Sequence, residues 1–196
     1  MKSYVPLVRE VAQKRGLDSD VTDVLCNLVD YIEYCDFQGA CHSTSSVLYV
    51  ALRELDYSPR LCIGECRYGD GKPFDHSWVE LEGRVFDFAC IKRYTDGTPI
   101  APAVVDGIDV VSGEPTDMHY GIFFRGLDMN VWGTCTWPFP FYMDGFPNEE
   151  EGLWTVVKFV LKRGFDTDAL REKYRDVSRT YIVDAQQMFM SLGMAI

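Results

Sequence analysis

The apolar spacing of the chain changes character once, at Tyr57-Ser58-Pro59, and that change decides its class. Before it, apolar residues recur at helical intervals. Residues 4–15 read as a short helix. Asp18-Ser19-Asp20 offers an N-cap, and Val21, Val24, Leu25, Leu28 and Ile32 then predict a half-buried helix over 20–35. Phe37-Gln38-Gly39-Ala40 interrupts it. From Cys41, the residues Val47, Leu48, Ala51, Leu52 and Leu55 predict a third helix that ends near Asp56. Beyond Pro59 the segments are short and rich in β-branched and aromatic residues. Residues 60–66, 75–81 and 84–90 read as strands, with turn signals at Gly69-Asp70-Gly71 and Glu82-Gly83. Helices followed by a central antiparallel sheet make an α+β fold.

The 196 residues suit one domain, with its core at about 20–95. Residues 96–148 hold six of the nine prolines and nine aromatics, and read as irregular structure with short strands near 108–111 and 120–124. A long ordered loop of this kind is often a lid or a binding wall. Asn148 and Glu151 form a capping-box pattern before a helix over 149–163, which Lys162-Arg163-Gly164 closes. Helices near 166–174 and 178–192 complete the C-terminal part, 149–196.

Charge excludes two classes of partner. Lys plus Arg is 19 against 30 Asp plus Glu, a net charge of −11. A chain this acidic, without a basic stripe, is a poor ligand for nucleic acid and for anionic membranes. No apolar run reaches the roughly 18 residues of a spanning helix. The charged N-terminus lacks the apolar stretch of a secretory signal, so a cytoplasmic location is expected.

The seven cysteines form no CxxC pair, and Cys62 and Cys66 are followed by no second pair at zinc spacing. Neither a disulfide framework nor a metal site is expected, which leaves the question of a nucleophile. Cys41 falls at a predicted helix start, just after Gly39-Ala40. Such a place stabilises a thiolate through the helix dipole and free N–H groups. The other six cysteines read as small buried thiols or loop residues.

His76 and Asp87 stand on successive predicted strands. If Glu82-Gly83 is a two-residue hairpin loop, Leu81 faces Arg84, Trp78 faces Asp87 and His76 faces Ala89. Side chains alternate, so His76, Trp78 and Asp87 share one face, and His76 and Asp87 are diagonal neighbours. Val79, Leu81 and Phe86 point to the other face. A carboxylate oriented on a histidine, beside a cysteine at a helix start, is a nucleophile–base–orienter set. The Cys41 backbone N–H is a natural oxyanion donor, and Gln38 is a candidate side-chain donor. Trp78, Trp132 and Trp137 are candidate substrate-binding residues. His42, His119 and Glu80 read as non-catalytic.

Gly39-Ala40-Cys41 opening a helix, the Arg60–Gly64 strand, His76-Ser77-Trp78-Val79-Glu80 and Val85-Phe86-Asp87 together resemble the transglutaminase-like core of the papain-like cysteine enzymes. The likeness covers roughly residues 38–90. It implies a nucleophilic Cys41 on a helix packed against an antiparallel sheet, with His76 and Asp87 on neighbouring strands. It implies a thioester formed from a peptide, protein or small amide substrate, by a peptidase, an amidase or an acyltransferase, with no metal or organic cofactor. The alternative is an inactive peptide- or protein-binding module on the same fold, with Trp132, Trp137 and Phe139 as anchors. A redox-sensing thiol would need a resolving partner for Cys41, and Cys35 is nearest in sequence.

Overall fold

The computed structural model of the chain describes residues 3–35, 40–92, 98–147 and 149–191. Helix α1, Val5–Lys14, starts with a proline in its first turn, where a missing N–H costs nothing, and buries Val8, Val11 and Ala12. Helix α2, Ser19–Tyr34, and helix α3, Cys41–Glu54, follow the expected apolar stripes. Asp18 has the backbone position of an N-cap for α2, but its carboxylate makes no cap bond and instead accepts from the Tyr57 hydroxyl.

Strand β1, Arg60–Tyr68, pairs antiparallel with β2, Phe74–Leu81, from Arg60 opposite Glu80 to Cys66 opposite Phe74. Strand β2 pairs with β3, Arg84–Phe86, with Leu81 opposite Arg84 and Val79 opposite Phe86. That is the register of a two-residue loop. Glu82 and Gly83 both have positive φ, 52° and 77°, as the favoured hairpin turn requires. The expected strand over 84–90 stops early. At Asp87 the backbone N–H and C=O turn to Val104, at 2.9 and 2.7 Å, and Ala89–Ile91 coils into a 3₁₀ turn. The ladder pairs of Trp78 with Asp87 and His76 with Ala89 therefore do not form, although Asp87 keeps the expected face.

The proline-rich stretch is more regular than its composition predicts. It holds β4, Val104–Val105, hairpinned to β5, Ile108–Asp109, and then β6, Met118–Ile122. Two short helices follow, α4 at Met129–Thr136 and α5 at Phe139–Asp144. The Asp128 carboxylate caps α4 by accepting from Asn130 N–H, and a proline in the first turn suits the start of α5. Helix α6 is shorter than predicted, Leu153–Leu161. Asn148 lies outside the described residues, and the Glu151 carboxylate is taken by Lys158 and Thr167 rather than by a cap. Helix α6 ends at Lys162 in a left-handed conformation. Helix α7 is Thr167–Lys173. The predicted helix over 178–192 is corrected: β7, Thr180–Tyr181, runs parallel to β1, and only Ala185–Ser191 forms a helix, α8.

The main sheet has the order β3-β2-β1-β6, and β7 takes the rest of the β1 edge. Strand β6 covers β1 only from Glu65, where the register shifts. The free groups at Cys62 and Ile63 then pair with β7, and Ile182 N–H donates to Ile63 O at 2.8 Å. Alternation splits the core. Leu61, Val79, Leu81 and Phe86 join α1, α2, α3 and α6 in the larger cluster. Cys62, Cys66 and Trp78 face a smaller one with Cys90, Ala101 and Met118. Among the described residues no helix is long and apolar enough to cross a membrane.

Gly64 lies opposite His76 where β7 crosses. A Cβ there would lie 2.5 Å from the Ile182 carbonyl oxygen and 3.1 Å from the Trp78 ring. Gly64→Ala is expected to lower stability by about 1–3 kcal/mol in urea unfolding. An unchanged midpoint would contradict the close packing of the Ile182 segment on β1.

Candidate active site

Two elements position the chemistry. Helix α3 begins at Cys41, so the sulfur sits on the first turn, half-buried. The first N–H groups of a helix have no partner within it. Strand β2 carries His76 beneath the helix start, buried at 4% exposure.

His76 Nε2 lies 2.7 Å from Asp87 Oδ2. A carboxylate can only accept, so Nε2 carries a proton. Cys41 is a further hydrogen-bonding neighbour of the ring, and with Nε2 committed to Asp87, Nδ1 is the nitrogen left for it. The carboxylate is held from every side. Oδ1 accepts from Ala89 N–H at 3.2 Å, and Oδ2 accepts from the Tyr120 hydroxyl at 3.0 Å. The Cys90 thiol lies 3.5 Å from His76 Nε2 and 3.9 Å from Asp87 Oδ2.

Burial opposes a charged His76, but Asp87, Cys90 and Cys41 together outweigh it and push its pKa well above the ordinary value. These neighbours favour the imidazolium form of the ring. Burial, reinforced by the nearby Asp87 charge, pushes the Tyr120 hydroxyl well up, so it stays a donor. Cys90 is pushed up to about 11, first by burial.

His42, next to Cys41, is a different case. Its Nε2 accepts from Arg179 Nε at 3.1 Å, so Nδ1 carries the proton and donates to Ser77 Oγ at 3.0 Å. Burial, then the Arg179 charge, lowers its pKa to about 3. His42 is thus a neutral structural link that pins the start of α3 to β2. Arg179 also donates to Trp137 O at 2.7 Å and covers the Phe139 and Tyr142 rings. It ties the C-terminal segment to the aromatic one beside the candidate site.

A cavity of about 80 Å³ lies at Cys41, lined by His42, Ile63, Asp75, His76, Ser77, Val131 and Thr134. The last two belong to α4, which therefore forms one wall of this cavity. A larger cavity of about 410 Å³ is lined by Ser43, Trp137, Phe141, Tyr142 and Phe146. Tyr142 joins it to the helix start through a 2.8 Å hydrogen bond to Ser43 Oγ and an edge contact with His42.

Of the residues singled out from sequence, Cys41, His76 and Asp87 come together. Trp137 lines the larger cavity at 47% exposure. Trp132, on α4, is 44% exposed and packs on Tyr181. Trp78 is corrected. It is fully buried against Tyr120, with its Nε1 donating to Glu80, because its face of β2 carries the second core cluster. It has no surface to offer a substrate. Gln38 lies outside the described residues. Sequence reasoning missed Tyr120, Cys90 and Arg179. Only Cys90, three residues after Asp87, carried a local signal.

Set against known proteins, the chain matches no family model, no curated protein and no solved structure.

Proposed function

We propose that the chain is a cysteine-dependent acyl-transfer enzyme on a transglutaminase-like core, acting as a peptidase or amidase. The observation that carries this reading is the buried His76–Asp87 pair beside Cys41 at the start of α3. A buried, charged histidine needs a partner on each side. Asp87 supplies one and Cys41 Sγ the other.

In this reading Cys41 Sγ attacks the substrate carbonyl carbon. The carbon–oxygen π pair moves onto oxygen, and N–H groups of the first α3 turn, Cys41's own among them, donate to that oxyanion. The tetrahedral species collapses, the carbon–nitrogen bond breaks, and His76 gives its Nδ1 proton to the departing amine. A water then attacks the thioester and loses its proton to Nδ1. Cys41 leaves as thiolate, and the carboxylic acid is released. Asp87 keeps the imidazolium oriented throughout, while Tyr120 and Ala89 N–H keep Asp87 oriented. An amine in place of water would make the same step a transfer. The aromatic cavity at Trp137, Phe141 and Tyr142 suits an apolar acyl side chain.

A second reading is a peptide-binding module on the same fold. It is favoured by the exposed apolar residues Met129, Trp132, Trp137 and Phe141 along α4 and α5. One experiment separates the two. Incubation with p-nitrophenyl acetate, followed by acid quench and peptide mapping, is expected to give an acetyl thioester on Cys41 that hydroxylamine discharges. Acetylation confined to the exposed Cys35, or none, would support the binding module instead.

A further inference from the structure

Cys90 is a buried thiol that acyl transfer leaves unused. With His76 and Asp87 it forms a group of three buried residues whose ligand atoms all lie within 4.8 Å of one another. Imidazole nitrogen, carboxylate oxygen and thiolate sulfur are the donors zinc takes. Tetrahedral zinc with its usual bond lengths sets these atoms at about 3.6 Å for S–N, about 3.5 Å for S–O and about 3.3 Å for N–O. Here Cys90 Sγ is 3.5 Å from His76 Nε2 and 3.9 Å from Asp87 Oδ2. To reach the tetrahedral spacing, the 2.7 Å hydrogen bond between His76 and Asp87 must open by about 0.6 Å and the Cys90–Asp87 separation must close by about 0.4 Å. Tyr120 Oη, 3.0 Å from Asp87 Oδ2, already orients the carboxylate from outside, as supporting donors do at metal sites.

Charge is also balanced. A divalent cation with one carboxylate and one thiolate is neutral overall, as is the imidazolium–carboxylate pair it would replace. Burial therefore does not forbid the exchange.

We propose that His76, Asp87 and Cys90 form a site for a thiophilic divalent cation such as Zn²⁺, and that the bound ion switches the thiol chemistry off. On binding, the Nε2 proton of His76 and the Sγ proton of Cys90 leave to solvent, and the ion forms bonds to both atoms and to Asp87. No electron is transferred. Nε2 is then fixed to the metal, and the ring loses the charge that pairs with Cys41. The inhibitory half of this proposal rests on the acyl-transfer reading; the ion site does not.

Co²⁺ as a spectroscopic probe tests the site on the full chain. Wild type and Cys41→Ala are expected to bind one Co²⁺ per chain, with a near-ultraviolet thiolate-to-cobalt charge-transfer band that Zn²⁺ displaces. Cys90→Ser is expected to lose the band. No band in wild type would overturn the site. So would a band that survives Cys90→Ser and vanishes in Cys41→Ala, since the ion would then sit on the nucleophile. If Cys90→Ser does not fold, X-ray absorption of the wild-type zinc complex decides. One sulfur with nitrogen and oxygen neighbours is expected, and none or two contradicts it. Stoichiometric Zn²⁺ is also expected to slow acetylation of Cys41 by at least about tenfold, with recovery on chelation. Absence of acetylation in the metal-free protein would remove the enzyme reading alone, leaving the cobalt band to decide the site.

Discussion

His76→Ala is expected to slow acetylation of Cys41 by p-nitrophenyl acetate by about 10²–10⁴-fold, the usual range for a lost acid–base group. Two effects combine. The imidazolium that stabilises the thiolate is gone, so less of the reactive form is present at neutral pH. The group that shuttles protons on and off the leaving group is gone as well. Removing the ring also leaves the buried Asp87 carboxylate without its counter-charge, so a loss of about 3 kcal/mol of stability is expected beside the kinetic effect. Nitrophenol release, measured beside far-UV circular dichroism, checks both points. A variant that is folded and acylates within a few-fold of wild type would remove His76 from the mechanism.

Asp87→Asn is expected to cost about 3 kcal/mol of stability at low pH, because it leaves a buried imidazole without its counter-charge. The pH dependence gives the sharper signature. The folded-state pKa of His76 is raised well above its ordinary 6.5. The folded protein therefore holds a proton that the unfolded chain releases. A raised value contributes stability that is complete below the unfolded pKa and is lost as pH rises through the folded one. The His76 contribution should fall with rising pH across that window, and Asp87→Asn should remove it, so the difference in stability between wild type and variant should shrink as pH rises. Urea unfolding at about pH 6 and about pH 9 would measure it. A variant with the same slope as wild type would contradict a charged, Asp87-paired His76.

His76 and Asp87 were legible as a pair because the argument was local. Strand alternation and one two-residue turn put them on a common face, and the turn formed in that register. Trp78 obeyed the same parity, but parity does not say whether a face meets solvent or a second core. That depended on Met118 and Tyr120, some forty residues away. Arg179 reaches His42 across 137 residues, so no local pattern could announce it. Helix α5 was hidden because prolines, which end helices from within, here precede it and sit in its first turn. Strand β7 was misread as helix because two residues of extended chain carry no periodicity. What fixes them is the open edge of β1 where β6 has left it.

The central claim is that Cys41 is a nucleophile activated by His76. Iodoacetamide labelling at about pH 6, mapped thiol by thiol by mass spectrometry in wild type and His76→Ala, tests it most directly, because an ordinary thiol is largely protonated there. The account predicts that Cys41 labels well ahead of the exposed Cys35 in wild type and falls back to its rate in the variant. Equal labelling of Cys41 and Cys35, or a Cys41 rate indifferent to His76, would contradict it.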